Sequence, residues 1–283
     1  MSKKEKNKSK DKNENCRSGD IAFDNYYHEV FGERWAKLKA SLLLPAKSVE
    51  WNYKLTSSYF LDEGSVIAAL SIPDFSLDEE KNILDMCAAP GGKSLVLSRM
   101  LCDDDSTMIC NERSGERKAR LVKVLDTHLF PEIRKKIIVT GKDAATWCQH
   151  ERDAFSRILV DAPCSSERHV LSSPTYLAQW TEARIRNLAQ TQWSILSSAF
   201  LVLKPGGYLL YATCALSPKE NDLVVERLLK KYENAKICQS EIPSEWKSQF
   251  LVVGEKTKYG KHILPDTCDG AGPLYFSLIK KSL

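Results

Sequence analysis

Apolar residues from Phe23 to about Lys47 recur at helical spacing (Tyr27, Val30, Phe31, Trp35, Leu38, Leu42), and Pro45 cannot continue a helix. The stretch predicts one or two helices. A short apolar helix follows at Val66–Leu70, and beyond it compact apolar runs alternate with helical patterns. Strands are predicted at Ile83–Met86, Thr107–Cys110, Lys136–Val139, Arg157–Val160 and Tyr208–Tyr211, with helices from Lys93, from Gly115 and around Ile185–Leu203. Such alternation means an α/β chain with a doubly wound, mostly parallel sheet. Ser217-Pro218-Lys219-Glu220 reads as a capping box with proline at the first helical position, predicting a helix to about Lys231. The final apolar run, Tyr275–Ile279, reads as edge strands of an antiparallel hairpin closing the sheet. No internal repeat interrupts this pattern.

Composition narrows the class without deciding it. The 283 residues, 43% of them hydrophobic, suffice for one large domain with at most a small appendage. No segment approaches the roughly 20 apolar residues of a membrane span. The opening residues hold no apolar run of the secretory kind, and Glu5, Asp11 and Glu14, with no arginine before Arg17, depart from a mitochondrial presequence. Nine cysteines form no Cys-x-x-Cys pair and have no histidine at ligand spacing, so the expectation is reduced thiols, no metal and a cytosol-like compartment. The net charge is only +4, but lysines crowd residues 3–12. That tail, expected to be disordered over residues 1–20, is either a solubilising extension or a sequence-blind phosphate-contacting arm.

Three short motifs carry the chemistry. Asp85-Met86-Cys87-Ala88-Ala89-Pro90-Gly91-Gly92-Lys93 is a strand entering a glycine-rich turn and then a helix, a common way to hold a nucleotide-like cofactor. Gly92-Lys93-Ser94 could close a phosphate loop, but the position that needs its first glycine is Cys87, so phosphate wrapping is disfavoured. Asp161-Ala162-Pro163-Cys164 and Tyr211-Ala212-Thr213-Cys214 each follow an apolar run, which puts both thiols at strand ends on the ligand-binding rim. Two thiols on a cofactor rim point to covalent chemistry.

In that order the motifs resemble the Sun (NSUN-type, RsmB/Nop) family of S-adenosylmethionine-dependent RNA cytosine-C5 methyltransferases. Phe31-Gly32-Glu33-Arg34-Trp35 and Gly272-Pro273-Leu274-Tyr275-Phe276 look closest to its short, mitochondrial-type members. The resemblance covers Phe23 onward and implies the Rossmann-like fold of S-adenosylmethionine-dependent methyltransferases over residues 73–283, preceded by a helical region, 21–72, that positions RNA or a partner. It implies a cofactor loop of Cys87, Ala88, Ala89, Pro90, Gly91, Gly92 and Lys93, a ribose-binding carboxylate at Glu112 in preference to Asn111, Asp143 beside the adenine, and Asp161 as a further cofactor-binding residue.

Cytosine C5 is a poor nucleophile until a thiolate adds to C6, which requires an activated cysteine. The resemblance makes Cys214 that nucleophile and Cys164 the residue assisting release, with Asp161 at cytosine N3 and Lys93 beside it. Arg168 and His169 are RNA-backbone contacts, a base, or a solvated loop pair, and Tyr211 is packing. The implied substrate is ribosomal or transfer RNA, and because no separate RNA-binding module is recognisable, it is positioned by the N-terminal helices, the catalytic face or a partner protein. The family's aromatic-rich ending is replaced here by Asp269-Gly270-Ala271-Gly272, which bears on RNA choice. The competing function is a non-catalytic ribosome-assembly factor that keeps the cofactor fold, and the competing compartment is mitochondrial.

Overall fold

The computed structural model describes residues 19–76 and 80–283, so the lysine-rich tail lies outside the described residues. The predicted N-terminal helicity resolves into two helices, α1 (residues 19–31) and α2 (Arg34–Leu43). Gly32, with φ of +59°, makes the break between them. Phe23, Tyr27, Trp35, Leu38 and Leu42 then line one buried face and pack on Val170, Leu171, Trp180, Leu216 and Leu264. The N-terminal region therefore shares a core with the main body, and it is not wholly helical. It contains a two-stranded antiparallel sheet of β1 (Ser48–Trp51) and β2 (Tyr59–Asp62), followed by α3 (Glu63–Leu70).

From residue 82 the expected alternation holds. In chain order come β3 (Asn82–Asp85), α4 (Gly92–Leu97), β4 (Thr107–Asn111), α5 (Gly115–His128), the short α6 (Pro131–Arg134), β5 (Ile137–Thr140) and β6 (Phe155–Asp161). The short α7 (Glu167–Leu171) and α8 (Pro174–Ala178) lead to the long α9 (Glu182–Val202), which runs directly into β7 (Leu203–Thr213). Then follow α10 (Asp222–Lys231), β8 (Ala235–Cys238), β9 (Glu255–Lys256), β10 (Lys261–Ile263) and β11 (Leu274–Lys281).

The main sheet has the order β5-β4-β3-β6-β7-β11-β10-β9, with β8 also paired to β11. β3 to β7 are parallel, and β11 joins β7 antiparallel. Alternate side chains feed opposite cores. Ile83, Leu159 and Leu210 face α3, α4 and α5, whereas Leu84, Ile158, Val160 and Leu209 face α9 and α10. Burial on both faces explains why these strands read as unbroken apolar runs.

Two expectations are corrected. Tyr275–Ile279 is not an edge: β11 is interior, with β7 on one side and β8 and β10 on the other. The capping box at Ser217 does not form, because residues 218–221 make a turn and α10 starts at Asp222. Glu220 is fully buried and its carboxylate accepts from Ser165 and Gln192, so tertiary bonds outcompete a local cap worth about 1 kcal/mol.

Candidate active site

Strand order reverses on either side of β3, and the crevice at such a switch point is where open α/β sheets hold ligands. The ends of β3, β4, β6 and β7 deliver Asp85, Glu112, Asp161 and Cys214 to that one rim. A cavity of about 510 Å³ there is lined by Cys87, Glu112, Asp143, Asp161, Cys164 and Cys214, among others. A smaller one of about 100 Å³ continues it beneath Asp85 and the 87–93 loop. On the other side a groove of about 790 Å³ runs past Lys93, Asp161, Ser166, His169 and Cys214 to the exposed Leu43 and Leu44 at the end of α2. Asp161 and Cys214 line both large spaces.

The loop geometry follows from its glycines. Gly91 has φ of +117°, a conformation that side chains disfavour, and a Cβ there would press on Val124 and Leu121 of α5 at 3.1 and 3.2 Å. A Cβ on Gly92 would meet Tyr59 at 3.0 Å. The loop is thus seated between β2 and α5 at distances that a Cβ would crowd. Asn111 is consumed in holding it, donating to the Met86 and Lys142 carbonyls at 3.1 Å each, and the neighbouring Glu112 lines the cavity. Glu112 accepts from the Ser114 amide at 2.9 Å and pairs with Arg117 at 3.0 Å. Arg117 also donates to the Ala89 carbonyl at 2.7 Å, tying the loop to α5. Asp143 caps the turn after it, accepting from the Ala145 amide at 3.0 Å, and pairs with Arg113 at 2.9 Å. It is both a turn residue and a wall of the cavity.

The donor set fits S-adenosylmethionine. Asp85 Oδ2 accepts from Ser94 at 2.7 Å, while its buried Oδ1 has no partner and borders the smaller cavity. An orphaned carboxylate oxygen there suits a cationic ligand group. Burial, with Asp161 nearby, raises the Asp85 pKa to about 7 despite the Ser94 bond. Reading the sequence alone gave Asp85 no role, because its position beneath the loop becomes apparent only once β3 is placed.

Around the thiols the contacts are close. Cys164 and Cys214 lie Sγ to Sγ at 2.7 Å, both as free cysteines. Ser166, held at φ of +56°, turns its hydroxyl to within 3.2 Å of the Cys214 sulfur and 3.5 Å of the Cys164 sulfur. The contact with Cys214 pushes the Cys164 thiol well up, and burial adds to it, so Cys164 keeps its proton. Burial also pushes the Cys87 thiol up, leaving it inert. Lys93 donates to Asp161 Oδ2 at 2.8 Å; burial opposes its charge, but the Asp161 carboxylate outweighs this and raises its pKa. Lys93 is therefore a charged ammonium at the junction of cavity and groove.

Arg168 lines the groove and also has a structural task. It donates to the Leu42 and Gly272 carbonyls at 3.0 and 2.8 Å and to that of Leu44, strapping α2 to the turn before β11. His169 is exposed beside Tyr176, ring centroids 5.2 Å apart, on the groove wall. Tyr211 is fully buried and donates to the Glu220 carbonyl at 2.7 Å, as packing requires. Ser166 and Glu167 follow Cys164 directly but carry no motif that marks them, and Glu220 reaches this loop only through the fold, 55 residues from Ser165.

The parallel sheet, the switch-point cavity and the strand-end carboxylates define the S-adenosylmethionine-dependent methyltransferase fold. Residues 74–279 match the family described as 16S rRNA methyltransferase RsmB/F, and the chain belongs to that family. It is 31% identical over 231 residues to the mitochondrial tRNA (cytosine(34)-C(5))-methyltransferase of Danio rerio, covering 80% of this chain and 61% of that protein. With the 5-cytosine rRNA methyltransferase NSUN4 of Mus musculus it shares 32% identity over 232 residues, 78% of this chain and 59% of that one. The chain thus spans about three fifths of these relatives. Among solved structures, NSun6 from Pyrococcus horikoshii with SFG superposes with a TM-score of 0.64 at 22% identity, over 85% of this chain and 57% of that one. A methyltransferase homolog from the same organism gives 0.67 at 18% identity, over 92% and 94%.

Proposed function

We propose that the chain is an S-adenosylmethionine-dependent RNA cytosine-C5 methyltransferase that works through a covalent adduct at cytosine C6, with ribosomal or transfer RNA as substrate. The observation that carries this reading is the pair of thiols in contact where cofactor cavity and groove meet, beside the Lys93–Asp161 ion pair. A ribosome-assembly scaffold would have no use for that arrangement. The names of the relatives support cytosine in RNA as the target, and the mitochondrial one favours the mitochondrial compartment over the cytosolic.

S-adenosylmethionine supplies an electrophilic methyl group when bound. Glu112, Asp143, Asp85 and the 87–93 loop would hold it at the rim. The groove takes an extruded cytosine, with His169 on one wall and Leu43 and Leu44 at the mouth. Cys164, the protonated partner, donates to Cys214 and stabilises it as the attacking thiolate. Addition to C6 pushes an electron pair toward N3, where the Lys93 ammonium, oriented by the Asp161 carboxylate, supplies a hydrogen bond and a proton, and C5 becomes nucleophilic. Bond formation also removes the hydrogen-bond acceptor that kept the Cys164 proton in place. Freed of it, Cys164 can release its proton to solvent through the groove and then take the C5 proton after methylation. As it does so the C6–sulfur bond breaks, the bond's electron pair leaves with the Cys214 thiolate and N3 returns its proton to Lys93.

The roles give the two thiols opposite phenotypes. Cys214→Ala should lose turnover and form no adduct, while Cys164→Ala should accumulate a covalent protein–RNA complex in the presence of cofactor. Denaturing gels with labelled RNA read both. Adduct in the Cys214 variant would swap the roles, and activity surviving both substitutions would end the covalent mechanism.

A further inference from the structure

Directly behind Cys164 lies a buried polar cluster that the chemistry above does not use. Glu167 and Glu220 are both fully buried. Between them sits Ser165, whose hydroxyl touches Glu220 Oε2 at 2.5 Å and Glu167 Oε1 more closely still. The Ser165 amide donates to Glu220 Oε1 at 2.9 Å. Gln192 of α9 donates to the same oxygen at 2.8 Å and to the Pro163 carbonyl at 2.9 Å. The other oxygen of Glu167 accepts from the Leu216 amide at 3.0 Å, and the Tyr27 hydroxyl of α1 donates to Oε1.

Counting hydrogens shows what this arrangement requires. A serine hydroxyl has one proton to donate, yet two carboxyl oxygens sit against it, so one carboxyl must itself carry a proton and donate back. No lysine, arginine or histidine among the described residues bonds either glutamate. The groups facing them are Tyr27 and Tyr26 from α1, Tyr211 from β7, and Cys164; the neighbouring Lys219 ammonium turns away to Glu182 at 2.5 Å. Two uncompensated carboxylates sharing one buried site cannot both ionise cheaply. In agreement, burial and then the Glu167 charge push the Glu220 pKa up to about 7, and burial raises that of Glu167.

The cluster also joins the two catalytic loops. Pro163 and Ser165 flank Cys164, whereas Leu216 and Glu220 follow Cys214. We propose that Glu167, Ser165 and Glu220 form a one-proton clamp, and that the two glutamates are positioning residues holding the Cys164 and Cys214 loops at thiol contact. Loss of the shared proton puts two negative charges on one serine, parts the loops and separates the sulfurs. The proposal rests on the cysteine pair being the reaction centre, but the clamp can be tested without turnover.

The test is alkylation of the full chain by iodoacetamide from pH 6 to 8.5, without RNA or cofactor, read by mass spectrometry at Cys164 and Cys214 with exposed Cys102 as reference. In the wild type, Cys164 labelling relative to Cys102 should step up on the order of tenfold around pH 7, as a contact released by one deprotonation would give. Glu220→Gln and Glu167→Gln keep the shape but remove one charge, so each should abolish the step; single-turnover methyl transfer should then persist to higher pH than in the wild type. A wild type without the step, or glutamine variants that retain it, would overturn the clamp. If labelling behaves as expected while no protein transfers methyl groups, the clamp stands and the enzymatic reading falls.

Discussion

Removing the Glu112 carboxylate isolates the cofactor half of the proposal, because the rest of the rim stays in place. Glu112 Oε2 is shared with Arg117 at 3.0 Å and Oε1 with the Ser114 amide at 2.9 Å, leaving the remaining lone pairs of a carboxylate only 5% exposed to meet a ligand diol. A hydrogen bond to a charged acceptor is worth about 1.5–3 kcal/mol, but Arg117 already draws on this charge. We therefore expect Glu112→Ala to lose about 1–3 kcal/mol for the pair of hydroxyls, which weakens binding roughly 5- to 150-fold at about 1.4 kcal/mol per decade. Glu112→Gln, which keeps the shape and one acceptor, should sit at the lower end. The loop itself should persist, since Arg117 retains the Ala89 carbonyl at 2.7 Å. Isothermal calorimetry with S-adenosylmethionine in the absence of RNA measures the change directly, and thermal unfolding without ligand checks that the fold is intact. An affinity within twofold of wild type in the alanine variant would remove Glu112 from the cofactor site.

Asp85→Asn addresses the buried carboxyl whose pKa is raised to about 7. A carboxyl raised on folding binds more protons folded than unfolded, so its stabilising contribution is present below its unfolded value near 4 and is lost as pH climbs to 7. The variant should therefore unfold at higher temperature than wild type at pH 8, with a smaller or reversed difference at pH 5, and parallel pH curves would contradict the assignment. Arg168→Met keeps the apolar stem but strips carbonyl bonds from Leu42, Leu44 and Gly272, and should destabilise the protein by about 2 kcal/mol in urea titrations. An unchanged midpoint would show that α2 is held to the body by its apolar face alone.

The alternation of apolar runs with helical periods gave the sheet, because strands buried on both faces leave a strong local signature. Cys87–Lys93, Cys164 and Cys214 were legible for a similar reason: each sits just past such a run, at a strand end. What could not be read depended on distant partners. β11 looks like any other apolar run, and only its pairing with β7 shows it to be interior. Ser217–Glu220 carries a sound local helix signal, but Glu220 is claimed by Ser165, 55 residues away. Arg168 beside His169 reads equally as an RNA contact or a solvated loop pair, and its bonds to carbonyls 126 and 104 residues away have no local signal.

The place of β11 has a consequence for how the protein is made. It is the last described strand along the chain, yet it stands between β7 and the β8 and β10 edge. During synthesis, every ribosome-bound chain that has not yet emerged beyond Leu274 presents β7 with an open, apolar edge, the kind of surface that recruits other strands. The cofactor half of the sheet can assemble early, but the wall of the groove formed by Gly272, Pro273 and Leu274 arrives late. Nascent chains should thus depend on chaperones over that interval, and loss of residues 274–281 should yield aggregates rather than a weakened enzyme.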